Sequence, residues 1–162
     1  MRLIFISGVS GAGKSTICNY IKDNNLLDDY VVFDVDDLEN INEYNPDTYY
    51  FFYENSIKNA ILKSDNKNII IGSCINPTDI KKINVPIEID SVDMILITSS
   101  SSEIEKRLKS RDKSRNCSDE KFIKSQIDYQ NYMLNYLDLY QMHIDNSNCT
   151  IKDVVDQIID YL

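Results

Sequence analysis

The sequence predicts an α/β fold, in which strands and helices alternate along the chain and the strands form a parallel sheet. Two observations support this prediction. Short apolar runs that are typical of buried strands alternate with longer segments in which apolar residues recur at helical spacing. The first apolar run also leads directly into a glycine-rich segment that opens a helix. The 162 residues contain no internal repeat or linker, so we expect one domain over residues 1–162.

The strands are predicted from short apolar runs that end in polar or turn-forming residues. Four such runs lie at residues 2–7, 31–33, 69–71 and 92–97. Residues 143–145 are a shorter candidate for an edge strand, and we assign no catalytic role to His143, the single histidine.

The helices are predicted from apolar spacing and from capping residues. One helix is expected to begin with Asn45 as its N-cap and Pro46 at its first position, and to end near Lys63. Another should begin in the serine run 99–102, with Ser101 or Ser102 as its cap, and continue towards Arg111. The remaining helices are predicted at residues 14–22, 119–140 and 151–161.

The balance of charge limits the partners that we expect. Asp and Glu outnumber Lys and Arg by 26 to 17, and the formal net charge of -9 opposes the binding of a long nucleic acid. No apolar stretch approaches the length of a membrane span, so no membrane partner is expected. The four cysteines are scattered and form no paired motif, which is typical of reduced thiols in a cytoplasmic protein.

The most specific motif is the segment from Gly8 to Ser15, which matches the Walker A pattern G-x-x-x-x-G-K-[ST] between a predicted strand and helix. In such a loop, backbone N–H groups and the start of the helix bind phosphate oxygens. Lys14 is expected to reach the β- and γ-phosphates of ATP, and the hydroxyl of Ser15 to bind Mg²⁺. The alternative is a strand-to-helix turn without a ligand. The predicted nucleotide-binding residues of this segment are Gly8, Ser10, Gly11, Ala12, Gly13, Lys14, Ser15 and Thr16.

An acidic cluster, Asp34, Asp36 and Asp37, follows the second strand at the sheet edge where the ligands of α/β folds bind. We interpret Asp36 as a catalytic base for an acceptor hydroxyl or as a group that holds Mg²⁺ through water. Successive side chains of a strand point to opposite faces, so Asp36 should point away from the core that the side chain of Val35 faces. The alternative is that these aspartates cap the next turn, with Asp37 in that role.

Arg107, Arg111 and Arg115 recur every four residues, and the first two are expected to share a helix face. Guanidinium groups suit the charge that spreads over a transferred phosphoryl group, so Arg111 and Arg115 are predicted catalytic residues together with Lys14 and Asp36. The alternative is a solvated helix face that is paired with Glu103 and Glu105.

Two further features concern the acceptor and the metal. One or two rings of the aromatic run 49–53 could stack on an acceptor, although core packing is expected for most of them. Cys74 is interpreted as a packing residue. The third strand ends in Gly72 and Ser73 without a carboxylate, so Mg²⁺ would depend on Ser15, the ATP phosphates, water and Asp36.

With these residues identified, the chain resembles the small P-loop kinase superfamily, which contains adenylate, shikimate, gluconate and chloramphenicol kinases, and within it bacterial proteins described as nucleoside kinases or AAA-type ATPases. The resemblance implies a three-layer sandwich with a five-stranded parallel sheet in the order 2-3-1-4-5, helices on both faces and a short helical lid near residues 107–122. It further implies that Asp36 contacts the acceptor hydroxyl and that Arg107 and Asn146 belong to the nucleotide site, with the loop 146–148 near the adenine. Four segments carry the resemblance: SGVSGAGKST at 7–16, DVDDL at 34–38, IGSCINP at 71–77 and RLKSRDKSRNCSDEKFIKSQIDYQNYM at 107–133.

The chain departs from the resembling subgroup in the lid, where Asp112, Lys113 and Ser114 replace a Pro-x-Trp sequence. The acceptor therefore does not transfer from the family. The resulting prediction is an ATP-dependent phosphotransferase, monomeric or homodimeric, that acts on a small molecule such as a nucleoside or nucleotide. The alternatives are a non-catalytic ATP-binding switch and a polynucleotide 5'-kinase, and the acidic charge opposes the second of these.

Overall fold

A computed structural model describes residues 1–39, 48–111 and 117–162. Five parallel strands form one sheet in the order β2-β3-β1-β4-β5. This result confirms the predicted order. The strands are β1 (Arg2–Ser7), β2 (Tyr30–Asp34), β3 (Asn68–Ser73), β4 (Ser91–Thr98) and β5 (Met142–Asp145).

The central strand β1 shows why helices must surround the sheet. Leu3, Ile4, Phe5 and Ile6 are all fully buried, although successive side chains of a strand point to opposite faces. A strand that is buried on both faces needs covering layers on both sides, which is the arrangement typical of parallel sheets. On its edges, β1 pairs with β3 and β4, for example Leu3 with Ile69 and with Val92.

In the described part of the chain, six α-helices connect and cover the strands. Helix α1 packs on α6 and on strands β2 and β3, and α4 packs against α5. Among the described residues, no helix is both long enough and apolar enough to cross a membrane. The helices are α1 (Lys14–Asp23), α2 (Tyr49–Lys63), α3 (Pro77–Ile80), α4 (Ser101–Lys109), α5 (Glu120–Leu134) and α6 (Ile151–Tyr161).

The helix ends differ from the prediction in two places. Ser100 caps α4, because its side chain accepts from the N–H of Glu103, so the predicted caps Ser101 and Ser102 are wrong. Helix α5 stops at Leu134 instead of near residue 140, and a 3-10 turn follows at Leu137–Leu139. The backbone N–H of Asn135 bonds back to Tyr132, and this tighter bonding ends the α-helix. The predicted helix start at Asn45 and Pro46 lies outside the described residues.

The parallel arrangement brings the carboxyl ends of all five strands to one edge of the sheet. At this edge lie the glycine loop after β1, the acidic turn after β2 and the segment 74–76 after β3. The serine run after β4 and the loop 146–150 after β5 complete it. The glycine loop, the acidic turn and the loop 146–148, which were predicted to belong to the site, therefore lie at the same edge of the sheet.

Candidate functional site

The glycine loop between β1 and α1 requires glycine at two positions for different reasons. Gly13 has a φ of 100°, in the left-handed region that glycine adopts without strain. A Cβ atom on Gly8 would lie 2.5 Å from the carbonyl oxygen of Ile97, so a side chain there would collide with the backbone of β4. The glycine signature is therefore needed to fold this loop against the sheet edge.

Side chains from three places bind the carbonyl oxygens of the loop. The ammonium group of Lys14 donates to Val9 O at 3.0 Å, and Arg107 donates from Nη1 to Gly11 O at 3.2 Å. The amide of Asn146 donates from Nδ2 to Ala12 O at 2.5 Å. Carbonyl oxygens would repel a phosphate group, and these three contacts hold them on hydrogen-bond donors instead.

The N-terminus of α1 differs from those of α3, α4, α5 and α6. Each of those four helices has a side chain that accepts hydrogen bonds from its first N–H groups. At α1 the N-cap is Gly13, and no side chain in the described part of the protein caps it. The first N–H groups of a helix have no partner within the helix, so the start of α1 keeps donors and a positive dipole end for an anion. This geometry fits a phosphate group.

A cavity of about 220 Å³ lies on one side of the loop. Arg107 and Asn146 line this cavity and also bind carbonyl oxygens of the loop, and Arg107 Nη1 donates to Asn146 Oδ1 at 3.3 Å. Asn146 is buried, so its amide is held in a fixed orientation. The cavity is lined by Gly13, Thr16, Ile17, Arg107, Asn146, Cys149, Thr150, Ile151 and Val154.

A larger cleft, of about 580 Å³, contains Ser10 of the loop in its wall. Helices α2 and α5 contribute most of its lining, and the rest comes from the glycine loop, the segments after β2 and β3, and α3. We call it the aromatic cleft because six of its lining residues are Tyr or Phe. It is lined by Ser10, Val35, Asp36, Tyr49, Phe52, Tyr53, Cys74, Asn76, Asp79, Phe122, Gln126, Tyr129 and Tyr132.

Asp36 lines the aromatic cleft, but its local structure differs from the prediction. Residues Val35–Asp37 form a 3-10 turn instead of the end of a strand. The carboxylate of Asp34 accepts from the N–H of Asp36 at 3.2 Å, so Asp34 is the capping residue and the proposed cap Asp37 is wrong. Asp37 instead lies 3.6 Å from Lys22 in an ion pair. In the turn that Asp34 caps, Val35 is buried and Asp36 lies in the wall of the cleft.

Of the three arginines, the structure describes Arg107 and Arg111. Arg107 donates to Gly11 O of the loop and also lies 3.6 Å from Glu103, so the ion-pair alternative is seen for this residue. Helix α4 ends at Lys109, and Arg111 lies beyond it, which makes the predicted shared helix face wrong. The capping N–H of Ser110 bonds to Lys106 and Leu108, and the chain turns there. Arg115 lies outside the described residues, as does most of the predicted lid.

Three polar residues of the site were missed by the sequence analysis. Gln126 Oε1 accepts from the N–H of Ser10 at 3.0 Å, which connects α5 to the glycine loop. The hydroxyl of Tyr129 donates to Cys74 O and accepts from Asn76 Nδ2, both at 3.0 Å. Burial raises the pKa of Tyr129 to about 12, so its hydroxyl remains protonated at neutral pH. Two signals were present in the sequence: helical spacing from Phe122 through Gln126 to Tyr129, and the Asn-Pro helix start at Asn76.

Among the described residues, no three His, Cys, Asp or Glu side chains cluster as the ligands of a metal ion would. Strand β3 ends at Ser73, whose Oγ accepts from the N–H of Ile75. Ser15, in the first turn of α1, is exposed beside the uncapped helix start. This arrangement fits a Mg²⁺ ion that arrives with nucleotide phosphates, held by a hydroxyl and water.

Comparisons with known proteins identify the fold. No family model matches the sequence, and no curated protein matches it either. Shikimate kinase from Acinetobacter baumannii, in complex with shikimate, is 13% identical, with a TM-score of 0.68 over 99% of this chain and 92% of that one. A gluconokinase from Sinorhizobium meliloti is also 13% identical, with a TM-score of 0.68 over 98% and 90%.

A further structural match is an uncharacterized protein from Eubacterium ventriosum, 14% identical, with a TM-score of 0.59 over 99% of this chain and 98% of that one. At such identities the matches establish the architecture alone. The chain has the fold of the small P-loop kinases.

Proposed function

We propose that the protein is an ATP-dependent phosphotransferase that moves the γ-phosphoryl group to a hydroxyl of a small molecule. One observation carries the proposal: the glycine loop lines two cavities, with Gly13 in the wall of the small one and Ser10 in the wall of the aromatic cleft that contains Asp36. A donor nucleotide and an acceptor on opposite sides of one phosphate site are what such a transfer requires. The kinases among its structural neighbours share this fold.

ATP is proposed to bind with its phosphates on the loop and the start of α1. The donors are proposed to be the N–H groups of Gly11, Gly13 and the first turn of α1 through Thr16, since the N–H of Ser10 donates to Gln126 and that of Ala12 to Val9 O. Lys14 exchanges its bond to Val9 O for the β- and γ-phosphates. The adenine occupies the cavity of about 220 Å³ that Arg107 and Asn146 border. Mg²⁺, bound through Ser15 and by Asp36 through water, would neutralise charge on the β- and γ-phosphates.

In the transfer itself, the acceptor oxygen forms a bond to the γ-phosphorus while the bond from that phosphorus to the β,γ-bridging oxygen breaks, and ADP leaves. Asp36 takes the proton of the acceptor hydroxyl. Arg111 and Arg115 are proposed to stabilise the charge on the transferred group from the lid at residues 107–122.

The chain of 162 residues acts as one domain, as a monomer or a homodimer.

Transfer of label from γ-³²P-ATP to a pool of nucleosides, nucleotides, sugars and small acids tests the proposal. Transfer should appear with at least one acceptor class and should be lost in Lys14→Ala. Lys22→Ala is the matched control, since Lys22 is a half-exposed lysine of the same helix that pairs with Asp37. Tight ATP binding without transfer to any acceptor would contradict the proposal and support the nucleotide-switch alternative.

A further inference from the structure

The aromatic cleft has side-chain rings from two helices in its wall. Helix α2 contributes Tyr49, Phe52 and Tyr53, and α5 contributes Phe122, Tyr129 and Tyr132. The rings of Tyr129 and Tyr132 are stacked, with centroids 6.0 Å apart and planes 13° from parallel. Rings in such a wall can stack on a planar ligand, because aromatic pairs gain from offset contact beyond the area they bury.

The charges around the cleft oppose an anionic ligand. Among the described residues that line it, Asp36 and Asp79 carry negative charge and none is Lys, Arg or His. The ammonium group of Lys82 lies 3.4 Å from the carboxylate of Asp79 in an ion pair, but Lys82 itself does not line the cleft. A carboxylate or second phosphate on the acceptor would lose water there without a compensating cation.

Several polar groups of the cleft form hydrogen bonds with other groups of the protein. Asn76 Oδ1 accepts from the backbone N–H groups of Thr78 and Asp79, and its Nδ2 donates to Asp79 and Tyr129. The hydroxyl of Tyr129 is held between Asn76 and Cys74 O. These groups therefore stiffen the wall and do not provide a site for an anion.

We propose, on the basis of the phosphotransferase function above, that the acceptor is an uncharged compound in which a flat ring is attached to the hydroxyl-bearing part, as in a nucleoside. The ring lies among the aromatic side chains of α2 and α5, and the hydroxyl faces Asp36. Acceptors with a carboxylate or a phosphate are selected against by the absence of a cation in the described cleft wall. This preference contrasts with the charge of shikimate, the ligand of one structural neighbour.

The test compares each of five nucleosides (adenosine, guanosine, cytidine, uridine and thymidine) with its 3'- and 5'-monophosphates, so that a free hydroxyl is always present. Shikimate and gluconate serve as anionic acceptors without an aromatic ring, and glucose as a neutral one. We expect at least one nucleoside to exceed its own monophosphates, and all three non-aromatic compounds, by roughly tenfold or more in kcat/KM. Preference for a monophosphate or for a hydroxy acid overturns the inference while the phosphotransferase function stands.

Two arginine variants separate charge in the cleft from charge elsewhere. Tyr132 lines the cleft and is 40% exposed, so Tyr132→Arg adds a cation there without disturbing the core. Phe51 is 59% exposed on α2 and does not line the cleft, so Phe51→Arg is the matched control. Tyr132→Arg should shift the ratio of nucleoside to monophosphate by at least about fivefold towards the monophosphate. Equal ratios in the two variants overturn the inference.

Calorimetry of ATP binding without acceptors, taken together with the transfer assay, shows whether the phosphotransferase proposal fails or only the inference about the acceptor. If wild type does not bind ATP, or binds it without transfer to any compound, the phosphotransferase proposal fails. If transfer occurs but nucleosides are not preferred, only the inference about the acceptor fails.

Discussion

The side-chain carbonyl of Gln126 on α5 accepts a 3.0 Å hydrogen bond from the backbone N–H of Ser10 in the glycine loop. Both residues also line the aromatic cleft. This bond connects the helix that forms one wall of the proposed acceptor site to the loop that is proposed to hold the phosphates. The position of one part of the site therefore depends on the other.

Replacing Gln126 with Leu should impair transfer more than stability. A net hydrogen-bond contribution of about 0.5–1.5 kcal/mol corresponds to a loss of about 2- to 12-fold in kcat/KM. Lys124→Ala is the control, because Lys124 is an exposed residue of the same helix that pairs with Asp128. Steady-state kinetics and thermal melts of both variants provide the measurement. Unchanged kinetics in Gln126→Leu would mean that the bond has no role in transfer.

Asp36→Asn should lower the transfer rate by about 10²–10⁴-fold while ATP affinity stays within about threefold of wild type. The amide keeps the shape of the side chain but cannot take the acceptor proton. Asp37→Asn is the matched control from the same turn, and it loses only the ion pair with Lys22. Rates are measured at saturating ATP, and affinities by calorimetry. A parallel loss of transfer and ATP binding would reassign Asp36 to metal binding.

Arg107→Ala should weaken ATP binding by about tenfold or more, because hydrogen bonds to charged groups contribute about 1.5–3 kcal/mol. The guanidinium contacts Gly11 O and Asn146 Oδ1, so its loss frees both the loop and the amide. Arg107→Lys should restore little of the affinity, since an ammonium group cannot span these partners in one plane. Lys106→Ala, which removes an exposed pair with Glu103, is the control. Equal affinities in Arg107→Ala and Lys106→Ala would exclude a role for Arg107 in the nucleotide site.

The free energy of unfolding should fall as the pH rises from about 10 to about 12, in part because of Tyr129. Its pKa in the folded protein is raised to about 12 by burial, above the ordinary value of 10.0. The unfolded chain therefore loses this proton first, and the stabilisation that is present below pH 10 disappears as the pH approaches 12. Tyr129→Phe should reduce the slope by up to about 1.4 kcal/mol per pH unit. Urea unfolding at pH 8 to 11 measures the slope, and identical slopes would refute the prediction.

Gly13→Ala should destabilise the protein by about 1–3 kcal/mol, because alanine is strained at a φ of 100°. The added Cβ would also lie 3.1 Å from Asn146 Nδ2 and press on the amide that binds Ala12 O. Urea unfolding gives the loss of stability, and ATP titration should show a weaker site. Ala12→Gly offers a comparison in the same loop that adds no atoms. A Gly13→Ala protein with wild-type stability would contradict the strain argument.

Structural features that depend on residues close together in the sequence were predicted well. The apolar run of β1, the glycines of the loop and the start of α1 at Lys14 depend on neighbours in sequence, and each was correctly placed. The cap of α4 at Ser100 was missed, because several serines in a row offer the same capping chemistry. The end of α5 was missed because apolar spacing continues to Leu137 beyond the last helical residue.

The partners within the site were harder to predict, because they are far apart in sequence. Gln126 and Ser10 are 116 residues apart, and Asn146 and Ala12 are 134 residues apart. Nothing local to a glutamine in an amphipathic helix indicates which face meets the loop. The sheet order brings these segments together, and it was predicted only through the resemblance to a known superfamily.

The sequence by itself determined that a glycine loop with the Walker A pattern joins the first strand to the first helix, since its glycines, Lys14 and Ser15 lie within one short segment. The tertiary structure alone decided which side chains surround that loop: Arg107 and Asn146 on one side, and the aromatic cleft with Gln126 on the other. The physical reason is that a motif needs only local backbone geometry, whereas a cleft and its charge depend on how parallel strands align their carboxyl ends.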